Sequence, residues 1–251
     1  MKNNDFSKEY EVMYRDSDYR LKCKLTAIAD YFCEVGNIQA ETIGDTIDFA
    51  YSHGCAWVFY KYDIKIHRYP KYREKIIVKT MPIGFKRFYA YRGYEIRSEE
   101  GELLAEGLAL FFLINIEKRR PMRILKEQYA MYGEEGDMKE SLDMEKIEKL
   151  TREDNFKEFQ IRYSDIDSNT HVNNVRYMEW AIESVPLEIA KNYELKRIKV
   201  AFEKESKYGD RIHVSAQIEE REDDLVTLHK ICNSNGEELT LLEAHWDKRD
   251  N

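Results

Sequence analysis

The feature that most constrains this 251-residue chain is that it contains itself twice. Lys8-Glu-Tyr-Glu-Val-Met-Tyr-Arg-Asp-Ser-Asp18 lies over Lys157-Glu-Phe-Gln-Ile-Arg-Tyr-Ser-Asp-Ile-Asp167 without a gap. The same register carries Glu34 onto Glu183. Farther along, Lys71-Tyr-Arg-Glu-Lys-Ile-Ile-Val78 matches Lys207-Tyr-Gly-Asp-Arg-Ile-His-Val214, and Gly101-Glu102 recurs as Gly236-Glu237. Similar segments in the same order, with one connection shortened between them, describe a duplicated domain. The fold must therefore be one that half of this chain can complete.

Both copies open with a short alternating strand, through Tyr10, Val12 and Tyr14 in one and Phe159, Ile161 and Tyr163 in the other. A helix follows. Leu25, Ile28, Phe32 and Val35 recur at three- and four-residue steps, as do Tyr177 or Met178, Ala181 or Ile182, and Val185, until Pro186 interrupts. Strands then predominate: Tyr60–Ile66 alternates apolar and polar, Ile198–Phe202 does likewise, and Leu103–Ile116 is apolar on both faces. Gly101 and Gly236 mark turns where positive φ is needed. One helix followed by a meander of strands, given twice, is an α+β pattern and lacks the helices a parallel βαβ fold would place between strands. The expected division is a first domain over 1–124, a charged linker with some helix over 125–154, and a second domain over 155–251.

Composition excludes several classes. A formal net charge of −8 argues against a nucleic-acid footprint, which needs a basic face, and gives no general attraction to anionic lipid. The N-terminal residues hold no apolar signal-peptide core. The longest apolar stretch, 108–114, is far short of the roughly 20 residues of a membrane helix. Cys23, Cys33, Cys55 and Cys232 are scattered, with no Cys-x-x-Cys, as suits reduced thiols in the cytoplasm. Expected, then, is a cytoplasmic protein with no nucleic-acid or membrane partner.

Each copy also serves as a control for the other. The second carries Asp167-Ser-Asn169-Thr-His171-Val-Asn-Asn174 just before its helix, whereas the first keeps Asp18 but has Arg20 and Lys22 where Asn169 and His171 stand. A capping or turn-closing Asp is needed by both copies. Asn and His are not, so together they point to a site. If the segment is extended, residues two apart share a face, so Asp167, Asn169 and His171 would converge beside the unpaired N–H groups of the helix start. Gly-x-Ser-x-Gly, His-Glu-x-x-His and the P-loop signature do not occur. A calcium loop begun at Asp165 or Asp167 would put Thr170 or Val172 where Gly is required. Neither a metal nor a cofactor is expected.

With these residues in view, the chain resembles the acyl-acyl carrier protein thioesterases over nearly its whole length. The resemblance rests on Trp57-Val58, Ile64-Lys-Ile-His-Arg-Tyr-Pro-Lys71 and Lys118-Arg-Arg-Pro-Met-Arg-Ile124 in the first half. In the second it rests on Asp165–Asn174, Tyr177, Trp180 and Glu183-Ser-Val-Pro186. It implies a tandem (double) hot-dog fold, each half one central helix wrapped by an antiparallel sheet, and hydrolysis of fatty acyl thioesters borne on acyl carrier protein. Catalysis falls to Asp167, Asn169, His171 and an acidic residue on the strand after the helix, Glu205. The family often has a Cys after that Glu, once proposed as nucleophile; here it is Ser206, so a thiol nucleophile is not general to such a site. The first domain is expected to house the acyl chain, with Leu25, Ala29, Phe32, Cys33 and Trp57 as candidate lining residues, and Asn174 is a further candidate for substrate binding. Docking of the acidic carrier is expected at Lys118-Arg-Arg120, at Lys196-Arg197 with Lys199, or at Arg68 with Lys71. An acyl-coenzyme A thioesterase, a non-catalytic acyl-binding protein and a dehydratase on the same fold are the other readings, and the chain is expected to be a monomer or homodimer.

Overall fold

The computed structural model describes residues 4–167, 169–221 and 224–249, and these fall into two compact units. The first runs to Tyr60 and resumes over Ile66–Met144; the second takes Lys61–Lys65 and everything from Glu145 onward.

In the first unit the order is β1 (Phe6–Glu11), α1 (Leu25–Ile43), α2 (Ile47–Ser52), β2 (Cys55–Ile66), β3 (Lys75–Lys86), β4 (Tyr89–Ser98), β5 (Leu103–Asn115), β6 (Arg120–Pro121) and α3 (Lys126–Met131). The sheet runs β1-β3-β4-β5-β2, with β6 added beside β5. Pairing of β1 with β3, β3 with β4 and β4 with β5 is antiparallel. The apolar stripe read from the sequence is the buried face of α1: Ile28, Phe32 and Val35 are wholly buried there, and the helix packs on β3. It stops at Gly44, which takes φ +91 and returns its N–H to the carbonyls of Ala40 and Glu41.

The second unit repeats the plan: β7 (Asn155–Gln160), α4 (Asn174–Glu183), α5 (Leu187–Asn192), β8 (Tyr193–Phe202), β9 (Arg211–Glu220), β10 (Leu225–Asn233) and β11 (Glu238–Lys248). Its antiparallel sheet runs β8-β11-β10-β9-β7, and the Lys61–Lys65 segment of β2 pairs with the free side of β8. Here the helix is cut short. Pro186 has no N–H to give an α-helical ladder, so α4 ends and Pro186 caps α5 instead. Both units are helix-on-sheet, as the α+β reading expected.

The duplication reaches side chains. Lys8 Nζ pairs with Glu34 Oε1 at 2.7 Å, and the matching Lys157 donates to the carbonyl oxygen of the matching Glu183. Residues 125–154, expected as a linker, are shared between the units. Their first part is tied into unit one by a buried polar knot, in which the Asp45 carboxylate accepts from Trp57 Nε1, Gln128 Nε2 and the Tyr132 hydroxyl, each at 3.0 Å. Arg92, also buried, donates to Gln39 and Thr80 at 2.9 and 3.0 Å and to the Tyr132 oxygen at 3.2 Å. The last part belongs to unit two, where Gln217 Oε1 accepts the N–H groups of Thr151 and Arg152 at 2.7 and 3.0 Å. Satisfying each buried polar group in this way is what makes the burial tolerable.

Candidate active site

The segment before α4 is a tight turn, not the extended run that the residue spacing had implied. Asp167 N–H donates to the His171 carbonyl at 2.9 Å, Thr170 N–H to the Asp167 carbonyl at 3.1 Å, and the Asp167 carboxylate accepts the Asn169 N–H at 2.8 Å. Thr170 is held at φ +65. An Asp that bonds its own backbone two residues on favours such a turn over extension. The same-face argument for Asp167, Asn169 and His171 therefore does not apply.

Copy one makes the same turn. Asp18 N–H reaches the Lys22 carbonyl at 2.8 Å, Leu21 N–H the Asp18 carbonyl at 3.0 Å, and the Asp18 carboxylate accepts the Arg20 N–H at 2.8 Å. Leu21 has φ +58. The shared Asp closes the turn in both copies, whereas Asn169 and His171 stand in the second alone. Beneath the turn lies Asp165, 1% exposed and bound by Arg162 at 2.9 and 3.1 Å. Burial raises its pKa, but Arg162 outweighs that and holds the carboxyl below its usual range.

His171 Nε2 stands 3.2 Å from Glu205 Oε2, with the two side chains 20% and 35% exposed. Glu205 is not on a strand, as the resemblance implied, but three residues past the end of β8. It is brought to His171 by backbone pairing, because Val172 N–H donates to the Ser206 carbonyl at 3.0 Å. The first copy repeats this with Cys23 N–H and the Pro70 carbonyl at 2.7 Å. Tyr69 and Lys22 thus stand where Glu205 and His171 meet. That contrast is present in the sequence, since the Lys71/Lys207 match continues two residues back to Tyr69 and Glu205.

Asp167 and Asn169 share the turn with His171, Asn169 being exposed and Asp167 partly buried. Asn173 caps α4 by accepting the Val175 N–H at 2.9 Å, which removes that amide as an oxyanion donor. Asn174, the first helical residue, is half-buried at this positive helix end.

Ser206 is 2% exposed, and neither its hydroxyl nor that of the buried Tyr177 has a hydrogen-bond partner among the described residues. Burial pushes the Tyr177 phenol up, with Ser206 opposing the shift. Removing an unsatisfied buried hydroxyl is near neutral or stabilising. Ser206→Ala is accordingly expected to keep hydrolysis within about threefold and the melting temperature at or above that of the parent. A collapse of kcat in that variant would make Ser206 a participant in the chemistry.

In unit one, Leu25, Ala29 and Phe32 are buried on α1, and Phe32 stacks on Tyr94 with ring centroids 4.9 Å apart. Cys33 beside them has its thiol pushed up to about 12 by burial. Trp57 lies in another cluster, stacked at 6.2 Å on Phe85 with its N–H on Asp45. No helix among the described residues is long and apolar enough to cross a membrane.

Two helix-on-sheet units in tandem define a double hot-dog protein, and the His171–Glu205 contact belongs to the second. The acyl-ACP thioesterase N-terminal domain family matches residues 3–132 and the C-terminal domain family residues 148–248, so the chain belongs to the acyl-ACP thioesterase family. The chloroplastic oleoyl-acyl carrier protein thioesterase of Coriandrum sativum is 27% identical over 239 residues, 88% of this chain. This chain spans 64% of the length of that relative. A putative oleoyl thioesterase from Lactobacillus plantarum superposes with TM-score 0.93 and 27% identity, covering 98% of this chain and 97% of the other. The 12:0-ACP thioesterase of Umbellularia californica shares the fold, with TM-score 0.89 at 20% identity, covering 99% of this chain and 96% of the other.

Proposed function

We propose that this chain hydrolyses the thioester of a fatty acyl group borne on acyl carrier protein, releasing free fatty acid and carrier. The observation that carries the reading is the 3.2 Å contact of His171 with Glu205, present only in the copy whose turn also holds Asn169. In this account Glu205 is the general base. It takes a proton from water as the water oxygen attacks the thioester carbonyl, a role worth roughly 10²–10⁴ in rate. His171 orients Glu205 and shares the proton. Asn169 holds the water or the carbonyl, and Asn174 with the α4 N-terminus stabilises the developing oxyanion. The intermediate then expels the pantetheine sulfur, breaking the C–S bond. A thiol of ordinary pKa ~8.5 departs as thiolate with little acid help.

Asp167 is assigned to holding the turn, because its carboxylate already accepts the Asn169 amide. The acyl chain is assigned to the first unit, along Leu25, Ala29, Phe32, Cys33 and Trp57. Four free thiols suit the cytoplasm as the compartment. The test offers one acyl chain on carrier protein and on coenzyme A and follows thiol release. Faster turnover at lower KM on the carrier is expected. Equal or better hydrolysis of the coenzyme A thioester would replace this reading with an acyl-coenzyme A thioesterase.

A further inference from the structure

The first copy has the turn without the Asn and His, and carries charge in their places. Residues 13–24 carry Arg15, Arg20, Lys22 and Lys24; the aligned residues 162–173 carry only Arg162, which is committed to Asp165. Arg73 likewise stands where the second copy has Gly209. Backbone contacts gather these residues on one surface. Lys22 bridges Lys71, Tyr72 N–H donates to the Leu21 carbonyl at 2.8 Å, and Lys24 Nζ donates to the Arg15 carbonyl at 2.9 Å.

Within residues 13–24 the two carboxylates, Asp16 and Asp18, are outnumbered by the four cations. Asp18 accepts the amides of Arg20 and Lys22 at 2.8 and 3.0 Å, and Asp16 accepts the Tyr31 hydroxyl at 2.9 Å while lying 3.6 Å from Arg15. Two tyrosines complete the surface: Tyr14 and Tyr19 are 74% and 73% exposed, with Arg20 lying over the Tyr19 ring at 5.3 Å. In a chain of net charge −8, such a concentration of cations is local and specific.

Four of the basic residues expected to dock a carrier are neutralised within the fold, while Lys71, exposed beside Lys22, joins the surface described above. Arg68 binds Glu74 and Glu102. Lys196 binds Glu194, Arg197 binds Asp63 and Glu145, and Lys199 binds Glu243. The remaining run, Lys118–Arg120, is exposed and serves as a control.

We infer that the degenerate turn of the first copy is the docking surface for a small acidic protein, the acyl carrier itself. The inference rests on the reading that the acyl group arrives on a carrier. Charge complementarity selects the partner. The surface tyrosines favour a protein over a bilayer: Tyr19 and Tyr72 accept hydrogen bonds from Arg20 and Arg73, giving a polar-rimmed face, and the exposed aliphatic side chains of the turn, Met13 and Leu21, are too few to form the apolar face that sinks into lipid.

The test is direct binding of carrier protein bearing pantetheine but no acyl group, read by fluorescence anisotropy at low salt. For Arg15→Glu/Arg20→Glu/Arg73→Glu, the Kd is expected to weaken at least about tenfold, and KM for acyl-carrier to rise with it at unchanged kcat. Hydrolysis of the same acyl chain on free pantetheine should not change, which shows that the variant is folded. Lys118→Glu/Arg120→Glu should bind like the parent. Unchanged carrier affinity in the triple variant overturns the inference, as does weakening by the control pair alone. So does loss of binding to phosphatidylglycerol vesicles with carrier affinity intact, which would assign the surface to lipid. Normal carrier binding without any hydrolysis would instead remove the proposed reaction and leave the docking surface standing.

Discussion

Glu205→Gln is expected to lower kcat on an acyl-carrier thioester by roughly 10²–10⁴, with KM and the unfolding midpoint close to the parent. Glutamine keeps the shape of the side chain and accepts no proton from water, so the loss isolates the base. His171→Ala should cost a comparable factor, because it removes the imidazole 3.2 Å from that carboxylate. Joined in one chain, the two should cost little more than either alone, since groups that act as a unit are not additive. Asp167→Asn is the discriminating comparison. An Asn there keeps an oxygen for the Asn169 amide, and the backbone bonds of the turn are untouched. Its loss should stay within about tenfold, far below the effect of removing a general base. Steady-state kinetics on the three single variants decides the matter. A collapse in Asp167→Asn with Glu205→Gln nearly active would transfer the base role to Asp167.

That comparison also marks how far the residues alone could carry the argument. The duplication, the two helices and the antiparallel meander were legible because periodicity and repetition are properties of neighbouring residues: the stripe through Ile28, Phe32 and Val35 is buried as read. The turn was misread because i, i+2 spacing presumes an extended backbone, and a single Asp carboxylate was enough to bend it. Contact of His171 with Glu205 depends on a pairing between segments over thirty residues apart, which spacing cannot report. The transfer of Lys61–Lys65 to the second unit is likewise a choice of strand partner. Nothing in the alternation of Tyr60–Ile66 specifies which strand will pair with it. Charge was the least legible property. Lys196, Arg197 and Lys199 looked like a docking run, yet antiparallel register sets Lys199 opposite Glu243 and turns the run inward to carboxylates.

Glu243→Ala is expected to destabilise the protein by about 3 kcal/mol, the low end of the cost of breaking a buried pair, because the Lys199 ammonium keeps the exposed Glu145 carboxylate at 3.3 Å. Lys199 Nζ reaches Glu243 Oε1 at 2.5 Å, with the two side chains 8% and 3% exposed. His245 Nε2 lies 2.9 Å from the same oxygen, and Glu148 N–H donates to the other at 3.0 Å. Lys199→Met/Glu243→Leu, which replaces both charges by apolar groups, should recover most of that loss. Acid adds a second readout. Burial alone would raise Glu243, but His245, Lys199 and the Glu148 amide outweigh it and hold the carboxyl at about 2. A depressed carboxylate stabilises fully above its unfolded value near ~4.3, and the contribution is lost as pH falls from there toward its folded value. His229, buried and neutral, is pushed down to about 3. The unfolded chain therefore takes up that proton first, and stability begins to fall below pH ~6.5. His245 has the opposite sign: raised by Glu243 first and then Asp224, it stabilises fully below pH ~6.5 and loses that contribution as pH rises through its folded value. Urea unfolding from pH 3 to 8 should thus show the parent weakening in acid, and Glu243→Gln should flatten the part of that fall below pH ~4.3. A single Glu243 variant costing under about 1 kcal/mol, or a double variant costing as much as the single, would show that this buried network does not hold the second unit together.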